Sequence, residues 1–386
     1  QYNKDNGNAT ESSINSEKRT ILNFQGRYNI YSLLTEYEHR FSNFVKLSVG
    51  ARYSHVYNKN NSEENDISTF YNLRENRYAL YAEGNFQWQK IVMLLGLRSE
   101  RFDKRYHCTA QDVTNYKDLF FLPSFSLSYQ LSENLQISLS GNNKVFLPSF
   151  SELTPITTYL NQYSYMIGNP LLKPEMNHDV SLSGIYKWVF FSASYQYVKD
   201  AIVGIVEAYK EGEPVNLMTY MNYDHISKYT AMVSLSPKIS IWSPRLQFNL
   251  MGQNLKIPFM GTELRMNNPL LFINFYNSIS VGKGFTITGD MLYHSSGDMD
   301  VVTLKPSWQI NLGVTETIGN WFFQLSATDI FKTARNSMIT YGTQMKLDKW
   351  NYSDSQAVRL TIRYAFNSTM SKYKGRGAGQ SEKNRL

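Results

Sequence analysis

Residues 358–366 read VRLTIRYAF. Val358, Leu360, Ile362, Tyr364 and Phe366 fall on one side of a period-two pattern, and Arg359, Thr361, Arg363 and Ala365 on the other. On a helix the same residues would scatter apolar groups around the whole circumference, so no face could be buried or solvated consistently. The stretch is a strand. Its length, its terminal aromatic and the arginines on its polar side suit a strand with one face in lipid and one in water.

The rest of the chain repeats that design. Phe125, Leu127, Tyr129 and Leu131 alternate with Ser124, Ser126, Ser128 and Gln130, and beyond a short turn Leu135, Ile137 and Leu139 alternate with Gln136, Ser138 and Ser140. A soluble sandwich has little reason to keep one side uniformly Ser, Gln and Asn while the other stays aliphatic and aromatic; a water-filled lumen does. Alternating segments recur over residues 27–41, 44–57, 78–88, 91–105, 178–188, 190–206, 218–235, 245–255, 271–281, 285–293, 305–315 and 321–331. Short turns such as Ser42-Asn43 and Gln89-Lys90 take turns with long polar connections.

The expected fold is all-β, a large antiparallel transmembrane β-barrel with about fifteen strands present. Single-chain bacterial barrels have even strand numbers, so an odd count beginning in a polar stretch implies that the chain starts inside a barrel. Residues 1–20 are then a polar extracellular loop remnant, 21–366 the barrel with its long outer loops and short periplasmic turns, and 367–386 a basic periplasmic tail.

Composition agrees. Charged residues make up 18% of the 386, below the roughly 25% of an average soluble domain. Aromatics reach 15%, with 28 Tyr, which suits a barrel with aromatic girdles at both rims. The longest aliphatic run, 91–95, is far short of the ~20 residues of a spanning helix. The lone Cys108 has no partner for an intrachain disulfide. Part of the net charge of +7 is terminal: Lys372, Lys374, Arg376, Lys383 and Arg385 stand against Glu382. One aromatic and no helical face make this tail a solvated end rather than a nucleic-acid site.

Three stretches carry a resemblance. YALYAE at 78–83 with GLRSE at 96–100 resembles paired mid-barrel strands of TonB-dependent outer-membrane transporters. KVFLPSFSELTP at 144–155, followed by GNPLLKPE at 168–175, resembles that family's segment just after a strand. The basic ending 365–386 is similar to the tail of its outer-membrane β-barrel branch. Leu147 stands where the family usually has Arg, and Thr154 where it usually has Asn.

The resemblance implies a cell outer membrane location, contact with outer-membrane lipids, and a barrel of about 22 strands, of which these are the last fifteen. It also implies an N-terminal plug and a coupling box, neither found in these residues, through which a TonB-type inner-membrane complex drives uptake of a scarce or bulky nutrient. The ligand would be a small molecule, a glycan or a peptide, and a surface lipoprotein is a further possible partner. A passive porin-like channel and a surface-binding or adhesin barrel are the alternatives.

Candidate ligand-binding residues are the outer-loop aromatics Tyr159, Tyr163, Tyr165, Trp350 and Tyr352, which either stack on a ligand ring or serve as rim girdle. Lumen-facing charges Glu83, Arg98, Glu100, Arg359 and Arg363 either guide an anionic solute or pair with one another or with a plug. Neither a catalytic set nor a metal site nor a cofactor motif is expected. The loop HSSGDMD at 294–300 holds a base, hydroxyls and carboxylates but no second histidine or oxyanion motif. His107-Cys108 is a ligand pair without further spaced ligands.

Overall fold

The computed structural model describes residues 2–12, 19–64, 67–108, 111–209, 215–282, 284–351, 354–366 and 385. One antiparallel succession organises it. Tyr2–Ser12 pairs with Arg19–Arg40, which pairs in turn with Val45–Glu64, Ile67–Trp88, Ile91–Cys108, Gln111–Ser132 and Leu135–Phe146. The order continues through Glu175–Tyr186, Val189–Ala208, Asn216–Leu235, Arg245–Phe259, Leu270–Ser280, Phe285–His294, Ser307–Ile318, Trp321–Thr328 and Ala357–Tyr364. Every expected strand is present in the expected order. Among the described residues, the first and last strands of this succession do not pair with each other.

The side-chain period sorts the two faces. Leu33, Tyr37, Leu80, Trp88, Leu97, Phe121 and Leu131 point outward and are exposed, Leu80 at 67%. This apolar band lies nearest the short turns, the end that faces the periplasm in barrels of this kind. Farther from those turns the outward residues become polar, and the strands run on. Ile67–Trp88 has 22 residues, about 70 Å at ~3.3 Å per residue, more than twice the ~30 Å of a bilayer core.

That length differs from the expectation. Residues 58–66 read as a long polar connection, yet Val45–Glu64 and Ile67–Trp88 pair to their ends, Glu64 opposite Ile67. Here the inward residues Asn58 and Asn60 are polar although fully buried, so no apolar contrast marks a strand that is still hydrogen-bonded to its neighbours. Likewise Tyr2–Ser12, within the stretch expected to be a loop, is a strand. Beyond Phe366 one residue, Arg385, is described. Arg385 lies inside the barrel, where its guanidinium donates to Glu75 at 2.6 and 3.0 Å and sits 4.4 Å over the Phe150 ring. The physical reason is Glu75, a carboxylate only 1% exposed, which is costly to bury without a cation.

Two apolar clusters fill the outer part of the lumen. One joins Tyr28, Ile30, Val56, Tyr71, Leu73 and Tyr106 of the wall to Phe150, Leu153, Ile156 and Leu172. The other gathers Val198, Val203, Ile226, Leu255, Ile257 and Met266 with Val301. A small sheet of Gly297–Met299, Val302–Leu304, Asn336–Tyr341 and Lys346–Asn351 stands over the second.

Candidate functional site: the lumen and its outer mouth

The lumen has two unlike walls. On the first, strand alternation turns Glu36, Arg77, Tyr81, Glu83, Arg98 and Glu100 inward. Glu100, 1% exposed, accepts from Arg98 Nε and Nη2 at 2.9 and 2.7 Å and from Arg77 Nε at 2.7 Å. One carboxylate thus holds two guanidiniums in charge-assisted bonds. The Arg98 guanidinium also lies 5.7 Å over the Tyr81 ring, and Tyr81 donates to Glu36 Oε2 at 2.6 Å. Tyr81 itself crosses Gly50, where a Cβ would collide with its ring. Of the expected lumen charges, Arg98 and Glu100 are therefore brought together, while Glu83 stands exposed on the same wall. Arg359 and Arg363 sit apart on the final strand, both exposed, with Arg363 4.7 Å over the Phe322 ring.

The second wall is hydroxyl-lined. In register across five strands run Ser126, Ser140, Ser181, Ser194 and Thr230; beside them run Ser128, Ser138, Ser183 and Ser192. Ser128 and Ser138 are 2.7 Å apart, Ser140 and Ser181 2.8 Å. The row ends at a recess of about 360 Å³ lined by Asp179, Gln196, Lys228, Gln253, Asp298 and Asp300. There Lys228 pairs with Asp300 at 2.6 Å.

Between these walls the segment 147–174 folds into the mouth. Its one short helix, Phe150–Leu153, carries a reciprocal cap between Ser149 and Glu152, and Phe150 and Leu153 are buried against the first wall. Tyr71 hydroxyl donates to Thr154 Oγ1 at 2.7 Å, whose own proton goes to the Phe150 carbonyl at 2.7 Å. Leu147 packs beside Phe102, Phe120 and Leu122. Both departures from the family pattern are thus accommodated by packing.

GNPLLKPE is the part that fastens the segment. Gly168 has no room for a side chain, since a Cβ would meet Glu152 O, Ser151 O and Thr154 N at 2.6 Å each. Asn169 Nδ2 donates to Tyr220 O at 3.0 Å, Asn222 brackets Lys173 through its carbonyl and N–H, and Glu175 accepts from Ile202 N at 3.0 Å. Lys104 Nζ, almost fully buried, donates to the carbonyls of Pro170 and Leu172 at 3.1 and 2.6 Å. The membrane-crossing part of its strand ends near Ser99, where Arg101, Asp103 and Arg105 begin to face outward. Burial lowers the lysine's pKa to about 8, against the opposing pull of Glu75.

Beside this segment the aromatics meet. Tyr159 and Tyr165 are edge to face at 5.7 Å, and Tyr165 stacks on Tyr209 at 4.7 Å. Tyr163 is exposed nearby, its carbonyl accepting from Asn216 N at 2.8 Å. Trp350 is elsewhere, 68% exposed in the small outer sheet with Lys305 Nζ 4.1 Å over its ring. Tyr352 lies outside the described residues. Tyr209, Lys104 and Arg77 were not singled out by sequence. Tyr209 sits at the end of an alternating run, where a girdle residue and a ligand platform read alike.

The loop 294–300 spends its polar groups on structure. His294 Nδ1 is 3.0 Å from Ser295 O, and Asp298 accepts from Asn268 and Thr303. His107 is exposed and Cys108 buried on opposite faces of one strand, so the pair cannot share an ion. Among the described residues no three His, Cys, Asp or Glu converge.

This architecture has solved counterparts. It is similar to the siderophore receptor PiuA from Acinetobacter baumannii at 12% identity, covering 90% of this chain and 56% of that one, with a TM-score of 0.58. It is similar to the copper transporter OprC at 11% identity, covering 95% and 61%, with a TM-score of 0.69. For the FrpB iron transporter from Neisseria meningitidis, F5-1 variant, the values are 12%, 94%, 63% and 0.59. The chain therefore spans less than two thirds of each, and at such identities the likeness is one of fold. No curated protein sequence matches it. Residues 1–364 match the model of the outer membrane protein beta-barrel family, and the chain belongs to that family, a multi-pass β-barrel of the outer membrane.

Proposed function

We propose that this barrel takes part in energy-coupled uptake of a scarce or bulky solute across the outer membrane. The observation that carries this reading is the fastened segment 147–174: a polar lumen whose mouth is obstructed by a folded, hydrogen-bonded element suits gated passage better than a standing pore. Passive channels need an open path, whereas here apolar clusters occupy the outer lumen. The solved counterparts named as siderophore, copper and iron receptors or transporters support the same direction. Coupling would come from a TonB-type complex acting on a plug in the full-length protein.

Capture falls to the mouth. Tyr159, Tyr165 and Tyr209 present a ring platform beside the folded segment, suited to a small molecule with planar groups or sugar rings. Arg98 and Glu100 serve as a pre-paired wall, and Arg359 and Arg363 remain exposed toward the lumen for a plug or an anionic solute.

The test uses cells carrying the full-length gene, offered a panel of radiolabelled metal chelates and oligosaccharides. Uptake that stops when the proton-motive force is dissipated or the coupling protein is deleted, and falls at least tenfold in a Tyr159→Ala, Tyr165→Ala, Tyr209→Ala variant, supports the proposal. Uptake indifferent to energy, with steady conductance in planar bilayers, would establish a porin instead. Surface retention without accumulation would establish a binding barrel.

A further inference from the structure

Glu75 is a buried acid whose ion pair comes from outside its own wall. It is 1% exposed, on the inward side of Ile67–Trp88. Lys104 stands directly opposite it in the register, but Lys104 Nζ donates to the Pro170 and Leu172 carbonyls. Arg77, two residues along the same face, binds Glu100 together with Arg98. The cation that pairs with Glu75 is Arg385, next to last in the sequence, its side chain only 10% exposed.

The contacts around that guanidinium enclose it on several sides. Nη1 and Nη2 donate to the two Glu75 carboxylate oxygens at 2.6 and 3.0 Å, a planar fork-to-fork pair. Nε and Nη2 donate to the Pro148 carbonyl at 3.0 and 2.7 Å. The cation lies 4.4 Å over the Phe150 ring, and Phe150 N–H donates to the Arg385 carbonyl at 3.1 Å. A lysine ammonium is a point charge and lacks the flat fork that meets carboxylate, carbonyl and ring together. The parts come from two places: Glu75 from the wall, Pro148 and Phe150 from the segment that obstructs the mouth. Chain length permits the contact. Ala365 N donates to Asn320 O at the short-turn end, and residues 367–385 can reach about 60 Å from there. Glu75 is about 43 Å along its strand from Trp88 at that same end.

We propose that Glu75, Pro148 and Phe150 form a guanidinium-binding site in the lumen, and that Arg385 in this site locks segment 147–174 to the first wall. Filled, the site ties wall and segment through one planar group where little water reaches. Emptied, it leaves a buried carboxylate without its counter-charge, a costly state that is relieved when the segment lifts and water enters. The lock deepens the gated-passage reading and takes its purpose from it. Protease access reads the lock without reading uptake, so either can fail alone.

The test uses the full-length protein in intact cells and measures protease cleavage within 147–174, with heat-modifiable migration on gels verifying that each barrel is folded. Arg385→Ala should be cleaved at least tenfold faster than wild type. Ethylguanidinium at tens of millimolar should bring that rate back to within about twofold of wild type, by filling the vacated site. Ethylammonium, of equal charge but without the planar fork, should not, and Arg385→Lys should stay close to the alanine variant. Glu75→Gln should be cleaved as fast and gain nothing from ethylguanidinium; if it does not fold, the two cations compared on Arg385→Ala decide the matter. Cleavage of Arg385→Ala at the wild-type rate would overturn the proposal. So would rescue by ethylammonium as strong as by ethylguanidinium, since any cation would then satisfy Glu75.

Discussion

The two walls of the lumen solve the same problem in opposite ways. Both must face water on a surface that a hydrophobic exterior forces inward. The wall around Glu100 uses full charges and consumes them internally: two arginines share one buried carboxylate, and a tyrosine links a second acid, Glu36. The wall from Ser124 to Ser194 uses neutral hydroxyls that bond sideways along the register and otherwise face the open lumen. The first wall is rigid and specific in geometry, because its interactions are few, strong and directional. The second is smooth and replaceable, because each hydroxyl contributes little and water can stand in for it. A sliding solute or plug segment would meet no fixed charge along the serine rows until the recess at Asp179 and Lys228.

This contrast predicts a ranking of mutational effects. Glu100→Gln should be the most damaging, since it leaves Arg77 and Arg98 crowded together without their shared counter-charge. Breaking such a pair by removing one partner costs roughly 3 kcal/mol. Equilibrium urea unfolding of the barrel in lipid vesicles should read a loss of this size. A loss under about 0.5 kcal/mol, the range of an ordinary surface change, would mean the charged wall is no more committed than the hydroxyl wall.

Gly168→Ala comes next. The added methyl meets three backbone atoms at once, and none of them is a flexible side-chain end. Overpacking of this kind costs about 1–3 kcal/mol, and here it falls on the segment rather than on the strands. Protease cleavage within 147–174 should therefore appear in intact cells while the barrel keeps its folded migration. Cleavage no faster than in wild type would show that the segment is held by its apolar anchors alone.

Lys104 supplies a pH-dependent version of the same experiment. Its folded pKa of about 8 lies below the ordinary 10.5, so between these values the unfolded state binds more protons than the folded state. Stability attributable to this group therefore rises with pH through that window and is lowest below it. The neutral amine still donates to Pro170 O and Leu172 O. Amide exchange at residues 169–173, corrected for its intrinsic pH dependence, should show protection growing from pH 8 to 10, and Lys104→Met should abolish that growth.

The strands, their order and the identity of each face were legible in the sequence because period-two alternation between lipid and water is a strong local signal. VRLTIRYAF and the serine runs gave the same reading as the register does. Where the inward residues are polar although buried, as at Asn58 and Asn60, the signal vanished although the hydrogen bonds continue. The mouth was less legible still. GNPLLKPE stood out as a motif, but its fastening depends on Lys104, Tyr220 and Asn222, which come from other strands and reveal nothing in their own neighbourhoods. Arg98 and Glu100, two residues apart, were recognisable as a pair; Arg77, their third member, required the register. Tyr159 and Tyr165 were likewise near in sequence, whereas Tyr209 reaches them only through the fold.

The smallest predicted effect is the most discriminating for the hydroxyl wall. Ser140→Ala removes one bond to Ser181, and a half-exposed hydroxyl facing an open lumen is readily replaced by water, so the loss should stay within about 0.5 kcal/mol. Ser140→Asp changes the volume little and also leaves the strand intact, but it plants a charge in the middle of the neutral row. If that row matters because it is smooth, the aspartate should slow uptake of an anionic solute several-fold while alanine leaves it unchanged. If both variants behave like wild type, the row is simply a wet surface, and its difference from the charged wall is one of stability alone. Slowing by alanine as well would mean that the hydroxyls bind the passing solute directly.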